Sequence, residues 1–456
     1  MPRYELVDGS SAKFWEINLN GDSFDVCFGR IGTAGTSSTK VFDSREKAEA
    51  EYNKMIKSKT KKGYSCVGES NSPAVQEATL EVEQAIFNDP TSEDAWEAYG
   101  QYLESQGDVR AELIALELSG GSDRIDDYYD KYKDEWLGDS LVKAVNKLKK
   151  FEEDLYEGLD SVFKLNWKYG HIISARVASN YEIAYEESCP GVTELLRLVI
   201  NSPAAKFIQE ITIGCIDFEG ENYYDQAILA ISKSGKIPSL RKLFIGDFDM
   251  EECEISWSEI RDVSKLYPVF PNLEELKLHG GEIQLGSLKH QKLKTLTLET
   301  GGLPGAAVKS VVNGELPELE ELTLWFGTDD YGGTGDIDML KPLLAGENYP
   351  KLKRLGLQNS EFENDIAREV ATSEILKRIE VLNLSMGTMT DEGAQHILNN
   401  RDNFKHLKLL NLDENFISEG VCSQLREAFP GVVSLNEQEE PDIDGDEVYL
   451  YVSVSE

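Results

Sequence analysis

The stretch that decides the fold is Leu407-Lys408-Leu409-Leu410-Asn411-Leu412, near the carboxyl end of the chain. Its spacing, Leu-x-x-Leu-x-Leu, places alternate leucines of an extended strand on one face and the residues between them on the other. With isoleucine accepted for leucine, the spacing occurs eight times, beginning at residues 208, 240, 273, 293, 319, 352, 379 and 407. So many matches predict one strand per repeat, with all strands contributing to a shared core.

The repeats follow one another at intervals of 20 to 33 residues. This is the period of proteins in which each unit buries its apolar face against its neighbours. The pattern resembles that of leucine-rich repeats. The last two units, 384–394 and 412–421, resemble the ribonuclease-inhibitor type. That resemblance implies long helices on the convex side, and looser turns wherever Asn415 has no counterpart.

Charge divides the chain unevenly. Its 456 residues include 83 acidic and 46 basic residues, a net charge of −37. Residues 1–64 carry 11 basic and 9 acidic side chains, whereas the remainder carries 35 and 74. A field of this sign repels nucleic acids and anionic membranes and attracts basic partners. Solubility alone also explains it, so both interpretations stay open, and any nucleic-acid contact is confined to the first 64 residues.

The sequence does not predict export or membrane insertion. The chain starts Met1-Pro2-Arg3-Tyr4-Glu5 without an apolar segment, and its longest apolar run, 195–200, is too short to span a bilayer. The six cysteines are scattered and none forms a Cys-x-x-Cys pair, which is typical of free thiols in a reducing compartment. We expect a cytoplasmic protein without a membrane partner.

The amino-terminal residues contain three short motifs. They are Lys13-Phe14-Trp15-Glu16-Ile17, Phe28-Gly29-Arg30-Ile31-Gly32-Thr33 and Lys61-Lys62-Gly63-Tyr64. Together they resemble a WGR domain over residues 1–64, with Phe28 at the position of the tryptophan for which the family is named. The resemblance implies that Phe28 keeps the packing role of that ring. In poly(ADP-ribose) polymerases the domain contacts DNA ends, whereas its role is less defined in bacterial proteins similar to the molybdate metabolism regulator. The candidate phosphate contacts are Arg30, Lys40, Lys57, Lys61 and Lys62.

Composition and pattern divide the chain into five segments. They are 1–64, the WGR-like domain; 65–76, a polar linker; 77–165, a helical region; 166–435, the repeats; and 436–456, an acidic tail. The expected fold class is multidomain α/β, in which a small α+β domain and a helical segment precede a leucine-rich-repeat solenoid, or horseshoe.

The helical region and the tail carry further signals. Trp96, Tyr99 and Leu103 share one helix face. The segment around them resembles the repeat-companion region that often precedes leucine-rich repeats in bacteria. Residues 171–177 fit a degenerate first strand of the repeats, and residues 448–454 alternate like a strand at the end.

Catalysis has little support in the sequence. None of the five histidines stands beside a nucleophile motif, and no phosphate-binding loop or dinucleotide fingerprint occurs. The tail segment 442–446 resembles part of a calcium loop, but the positions of its glycine and of its last ligand do not fit, so an acidic hinge is the better interpretation. We expect no enzyme activity, no metal and no cofactor.

Binding has better support, because residues between the core leucines face outward. Phe244 and Trp325 are large apolar residues at such positions, where both an interface anchor and a ring covered by the inserted loop 327–335 fit the pattern. Five acidic residues within 247–254 fit either a solvated loop or a docking rim for a basic partner. The candidate residues of the concave face are Phe244, Lys277, His279, Trp325, Phe326 and Arg354.

We therefore expect a non-enzymatic scaffold or adaptor that binds a protein partner on the concave face of its repeats. The alternative is a regulator linked to nucleic acid, in which the WGR-like domain contacts DNA or RNA and the repeats recruit another molecule. An enzyme with an unrecognised site stays open as a third hypothesis.

Overall fold

The computed structural model describes residues 2–456, with gaps at 9–10, 21–22, 32, 34, 43–44, 70–72, 122–123, 154, 185, 187 and 218–221. The chain forms two compact units, residues 1–85 and 86–456. The first contains a small antiparallel sheet and the second a large, mainly parallel one. Gly32 of the second motif and residues 70–72 of the expected linker lie outside the described residues.

The first unit is a five-stranded sheet with one helix packed against it. Its elements are β1 (Pro2–Asp8), β2 (Ser11–Asn20), β3 (Ser23–Arg30), β4 (Thr36–Val41), α1 (Arg45–Lys61) and β5 (Ser65–Glu69). The strand order is β4-β3-β2-β1-β5, with antiparallel neighbours throughout. Trp15, Ile17 and Phe24 are buried in its core, where Tyr52 and Met55 of α1 pack against them.

Phe14 is buried on the other face of β2, where two glycines approach it closely. A Cβ atom on Gly35 would lie 2.6 Å from Phe14 Cζ, and one on Gly29 would lie 2.9 Å from the Cα of Gly35. Gly35 also has a φ of +70°, in the left-handed region that glycine adopts readily. The two glycines of the motif are therefore explained by close packing around Phe14.

The segment expected to be a linker has a different structure. Residues 65–69 form β5, which extends the sheet by pairing with β1, and a helix begins at Pro73. Small polar residues fit a linker by composition, but an edge strand requires only backbone hydrogen bonds on one side. Proline is equally compatible with the first turn of a helix, where its missing N–H is not needed.

Helices precede the strands of the second unit and pack on the first of them. They are α2 (Pro73–Asn88), in which the division between the units falls, α3 (Glu93–Ser105), α4 (Arg110–Leu118), α5 (Arg124–Leu137) and α6 (Asp139–Leu148). Ser92 caps α3 by accepting a hydrogen bond from the N–H of Ala95. Trp96 packs on Tyr169 and Phe207, with ring centroids 4.6 and 5.1 Å apart. The helical segment therefore shares its core with the sheet.

Eleven strands form the large sheet. They are β6 (Phe163–Lys168), β7 (His171–Val177), β8 (Glu210–Ile213), β10 (Lys242–Ile245), β12 (Glu275–His279), β14 (Thr295–Glu299), β15 (Glu321–Gly327), β16 (Arg354–Ser360), β17 (Val381–Asn383), β18 (Leu409–Asn411) and β19 (Val433–Ser434). A smaller parallel sheet contains β9 (Asn222–Tyr223), β11 (Ser258–Asp262) and β13 (Gly281–Gln284). The order of the large sheet is β19-β18-β17-β16-β15-β14-β12-β10-β8-β7-β6, and all neighbours are parallel except β6 and β7.

One side of the repeat strands is buried completely. In all eight repeats the three positions of the Leu-x-x-Leu-x-Leu spacing are at most 3% exposed. The residues between them on β10, β12, β14 and β15 are mostly half-buried. We call the side of the sheet to which these residues point the open face.

The helices that follow the strands are shorter than the resemblance implied. They are α7 (Tyr181–Ala184), α8 (Val192–Ile200), α9 (Asp225–Ser232), α10 (Gly305–Val312), α11 (Ile337–Leu344), α12 (Glu363–Val370), α13 (Asp391–Asn399) and α14 (Glu419–Ala428). Those from α9 onward have 8 to 10 residues. After β10 and β12 the chain forms β11 and β13 instead of helices. Short repeats leave too few residues for a strand, two turns and a long helix.

The tail forms a hairpin and then returns to the sheet. Strands β20 (Asp442–Asp444) and β21 (Glu447–Tyr449) pair around Gly445, whose φ is +66°. The strand predicted over 448–454 is wrong beyond Tyr449, because tertiary contacts replace strand pairing there. The N–H of Ser453 donates to the carbonyl of Met386 at 3.0 Å.

Candidate binding sites

The centre of the open face carries aromatic and charged side chains. The parallel register sets Phe244 of β10 beside Lys277 of β12, and His279 of β12 beside Glu299 of β14. Trp325 of β15 continues the second row. We call these five residues the central cluster. Four of them were predicted from the sequence, and the structure brings all four together.

Rings and charges alternate in the central cluster. Lys277 Nζ lies 4.7 Å from the centroid of the Phe244 ring and 3.0 Å from Glu299 Oε1. The other carboxylate oxygen accepts a hydrogen bond from His279 Nδ1 at 2.9 Å. The His279 ring packs edge-on against Trp325, with centroids 6.3 Å apart. The ion pair and the cation–π contact together hold Lys277 in one position.

Glu299 is the residue that connects both halves of the cluster. Burial alone would raise the pKa of its carboxyl, but the hydrogen bond from His279 and the charge of Lys277 outweigh burial and lower that pKa. The carboxylate therefore stays ionised at neutral pH and fixes two neighbouring side chains. Side chains held in this way lose little entropy when a partner binds.

Two of the six predicted residues of this face lie elsewhere. Phe326 is 2% exposed and packs against Phe362, with ring centroids 5.1 Å apart. It follows Trp325 directly, and strand alternation therefore points it to the buried side. Arg354 lies at the exposed start of β16, where its Nε is 3.3 Å from a carboxylate oxygen of Glu321, and its printed contacts do not include the central cluster.

The inserted loop 327–335 covers Phe326 and leaves Trp325 at the surface. A Cβ atom on Gly335 would lie 3.5 Å from the Phe326 ring, whereas Trp325 is only half-buried. The two alternatives that the sequence left open therefore apply to two neighbouring rings. Phe326 is covered core, and Trp325 has the position of an anchor.

Phe248 contacts the central cluster and was missed by the sequence analysis. It lies in the acidic segment after β10, and its ring packs edge-on against His279, with centroids 4.9 Å apart. The segment is partly bonded to its surroundings, because Asp247 lies 2.5 Å from Arg176 Nε and Asp249 accepts hydrogen bonds from backbone N–H groups of its own loop. The signal that could have located Phe248 is a single aromatic residue within an otherwise acidic stretch.

The candidate phosphate contacts of the first unit are on its surface. All five side chains are exposed, and they are Arg30, Lys40, Lys57, Lys61 and Lys62. Lys40 also lies 5.0 Å from the centroid of the Phe42 ring. Exposure on the surface is what contact with a phosphate backbone requires.

Phe28 is 48% exposed, which contradicts the packing role that the resemblance implied. It continues the face of β3 on which Phe24 and Val26 are buried, but Phe28 and Arg30 lie beyond the covered part. The register sets Arg30 beside Lys13, which is also exposed. The first unit therefore exposes an aromatic ring close to two cationic side chains.

Lys59 differs from the other lysines of α1. Its Nζ lies 5.2 Å from the centroid of the Trp15 ring and 4.8 Å from that of Tyr64. Burial, followed by the charges of Lys62 and Lys13, lowers its pKa. Lys59 therefore contributes to the packing of the unit rather than to a surface for phosphates.

The other histidines lie apart from one another. His171 is buried among aromatic rings, and His290 and His406 contact the backbone carbonyls of Phe270 and Leu376. Within the described ranges, no three His, Cys, Asp or Glu side chains come together as metal ligands. No helix in that part of the chain is both long enough and apolar enough to cross a membrane.

Comparison with known proteins gives matches of different extent. Over 62 residues the chain is 44% identical to the uncharacterized protein YfeS of Escherichia coli K12, and this part is 14% of the chain and 25% of YfeS. The match therefore spans only a quarter of that relative. A solved structure of a Bacteroides fragilis protein aligns over 100% of this chain and 99% of its own, with 25% identity and a TM-score of 0.54.

The structural likeness agrees with a mixed α/β chain in which a small sheet domain precedes a large region with a parallel sheet. The WGR family matches residues 2–71. This match extends past residue 64 and includes β5, the strand that completes the first sheet. Residues 2–71 of this chain are a WGR domain.

Proposed function

We propose that the second unit is a leucine-rich-repeat solenoid whose open face binds a protein partner in the cytoplasm, without catalysis. The observation that carries the proposal is the central cluster. Two half-buried rings, Phe244 and Trp325, are joined through the paired side chains of Lys277, Glu299 and His279. Aromatic anchors beside ordered charges are the usual composition of binding hot spots.

The position of the cluster supports the same function. It lies on β10, β12, β14 and β15, which have further strands on both sides. Hot spots concentrate near the centre of an interface, where surrounding residues exclude water. At a strand spacing of about 4.8 Å, Phe244 and Trp325 lie roughly 15 Å apart, within one interface of ordinary size.

The charge of the surroundings favours a partner with basic side chains around an apolar centre. The acidic segment 247–254 adjoins the cluster through the contact of Phe248 with His279. Residues 65–456 carry 74 acidic and 35 basic side chains. Opposite charge at the rim accelerates association and selects partners, and salt weakens both effects.

Trp325→Ala in the full chain tests the proposal. We expect the affinity for a captured partner to fall about 30-fold, which corresponds to roughly 2 kcal/mol. The melting temperature should change little, because the ring is only half-buried. The matched control is Trp257→Ala, which removes an indole that is 62% exposed outside the open face. Equal binding by the two variants would contradict the proposal.

A separate observation favours a second function for the WGR domain. The exposed Phe28 ring lies close to Arg30 and Lys13. Exposed rings stack on the bases of single strands while cations contact the phosphates. We therefore propose, as the alternative, that this domain binds DNA or RNA.

Charge reversal in the full chain tests this alternative. Lys57→Glu, Lys61→Glu and Lys62→Glu together should weaken binding to a labelled single-stranded oligonucleotide, whatever its sequence, and should reduce its salt dependence. The matched control reverses three exposed lysines of the second unit, Lys289, Lys341 and Lys405. No binding by the wild-type chain at low ionic strength would reject the alternative.

A further inference from the structure

Two cysteines that are distant in the sequence meet beside the acidic segment 247–254. Cys215 lies two residues after β8, and Cys253 lies near the end of the acidic segment that follows β10. Their thiols are hydrogen-bonded to each other, and each changes the ionisation of the other. Cys215 is buried and Cys253 is half-buried, so only one of the two is accessible to a small oxidant.

Residues of the smaller sheet hold this pair in place. Asn222 and Ser258 are neighbours in register, and Asn222 Nδ2 donates to Ser258 Oγ at 2.8 Å. Ser258 Oγ lies 3.3 Å from Cys253 Sγ. Asn222 Oδ1 accepts the N–H of Ile216, the residue next to Cys215, at 2.7 Å. One hydrogen-bonded network therefore positions both thiols.

The environment makes the two thiols unequal. The hydrogen bond with Cys215, which outweighs burial, and those with Ser258 and Asn222 lower the pKa of Cys253. The same thiol contact, together with burial, raises the pKa of Cys215. Thiolate is the reactive form of cysteine. Cys253 therefore has the properties of a nucleophile, and Cys215 those of the thiol that attacks next.

We propose that Cys215 and Cys253 are a modification site, a dithiol that peroxide converts into a disulfide. The sulfur of Cys253 attacks one oxygen of hydrogen peroxide, the O–O bond breaks, and a sulfenic acid and one water form. The sulfur of Cys215 then attacks Cys253 Sγ, the S–O bond breaks, and a second water leaves. The two thiols lose two electrons and two protons in total, and the peroxide is reduced to water.

The disulfide links the acidic segment covalently to the end of β8. An S–S bond of about 2.05 Å is much shorter than a contact between two thiols, so the segment must move towards Cys215. Phe248 lies in the same segment and packs on His279 of the central cluster. Oxidation therefore alters the border of the open face. The formation of the disulfide itself does not depend on the partner proposed above.

Treatment of the reduced full chain with hydrogen peroxide tests the proposal directly. We expect the intact mass to fall by two hydrogen atoms, and a non-reducing peptide map to join the peptides of Cys215 and Cys253. Dithiothreitol should reverse both changes. Cys253→Ser should leave Cys215 as a thiol at the same dose. Cys215→Ser should stop at a sulfenic acid on Cys253, which dimedone traps.

Cys189→Ser is the matched control, because it removes a half-buried thiol elsewhere in the second unit. It should leave the crosslink unchanged. The proposal is overturned if wild-type Cys215 and Cys253 stay reduced while Cys189 is oxidised, or if Cys253 accumulates as sulfenic acid without crosslinking. These outcomes are read from the wild-type chain, so they hold even if a serine variant fails to fold.

Discussion

Two parts of the same open face satisfy their side chains in different ways. At the centre, rings and charges contact one another and stay half-buried. On β16 to β18, polar side chains bond to each other and to the backbone. Gln358 Nε2 donates to Ser385 Oγ at 3.0 Å, and Asn383 Oδ1 accepts the N–H of Ser385 at 3.1 Å. Asn411 Oδ1 accepts the N–H of Asp413 at 3.0 Å in the same way.

This difference shows which part has most to gain from a partner. Polar groups that are already paired gain little, because each new hydrogen bond replaces an existing one. Half-buried rings lose their remaining contact with water on binding, which contributes about 25 cal/mol per Å² of apolar area. The same strand geometry therefore supplies rigid support at one end of the sheet and a binding surface at its centre.

The largest effect is expected from Phe326→Ala, on the buried side of the central strand β15. Removal of this ring, which packs on Phe362, leaves a cavity and should lower the free energy of unfolding by about 3–5 kcal/mol. Trp325→Ala, one residue earlier and on the open face, should cost much less. Urea denaturation of both variants measures the difference. Equal losses would show that Trp325 is core and would remove the basis of the comparison.

Glu299→Ala tests whether the central charges hold the cluster together. It leaves Lys277 and His279 without their acceptor and should cost about 2 kcal/mol at neutral pH, because charge-assisted hydrogen bonds contribute roughly 1.5–3 kcal/mol. The folded-state pKa of Glu299 is lowered. Its contribution is therefore present above the unfolded pKa, near 4.3, and is lost as the pH falls through the folded pKa.

Denaturation at neutral and at strongly acidic pH measures this dependence, and the wild-type and Glu299→Ala stabilities should converge in acid. The matched control is Glu315→Ala, which breaks an exposed ion pair with Lys289 and should change stability little. A pH-independent loss in Glu299→Ala would assign the effect to packing rather than to charge.

Glu363→Gln tests a polar group that the carboxyl-end region leaves unsatisfied. Glu363 of α12 is fully buried, its carboxyl has no hydrogen-bond partner among the described residues, and burial raises its pKa well above the usual range. A raised folded-state pKa destabilises the folded chain once the pH exceeds the unfolded value, near 4.3. The variant should therefore be more stable than wild type at pH 7, by roughly 1–2 kcal/mol.

This gain should disappear near pH 4, where the wild-type carboxyl is protonated in both states. Thermal melts at the two pH values measure it. A variant that is less stable than wild type at pH 7 would show that the carboxylate has a stabilising partner, and would extend the satisfied polar region to α12.

Asn359→Gly is expected to have the smallest effect. The side chain of Asn359 exchanges two hydrogen bonds with the backbone of Val454, of 2.6 and 2.9 Å. Its φ of +54° is one that glycine adopts without strain, so the variant removes the bonds alone. We expect a loss of about 1 kcal/mol and faster hydrogen exchange in the tail. Unchanged exchange there would show that the tail is held by other contacts.

Much of this fold follows from local patterns. Alternation along a strand predicts that Leu355 and Leu357 are buried and that Trp325 is not, whatever surrounds them. The cap at Ser92 is equally local, because its side chain bonds an N–H three residues away. The linker and the terminal strand were mispredicted for the opposite reason. Residues 65–69 and 452–454 take their conformation from distant partners, β1 and the ends of β16 and β17.

The sequence by itself determined the repeating strands, the buried side of each one, and the residues that point away from the core. Only the tertiary structure decided which of those residues meet. It joined Lys277 to Glu299, covered Phe326 with an inserted loop, and brought Cys215 to Cys253. The direction of a side chain depends on the backbone over two residues. Contacts between repeats depend on how segments of 20 to 33 residues return the chain to the sheet, and no local pattern specifies that path.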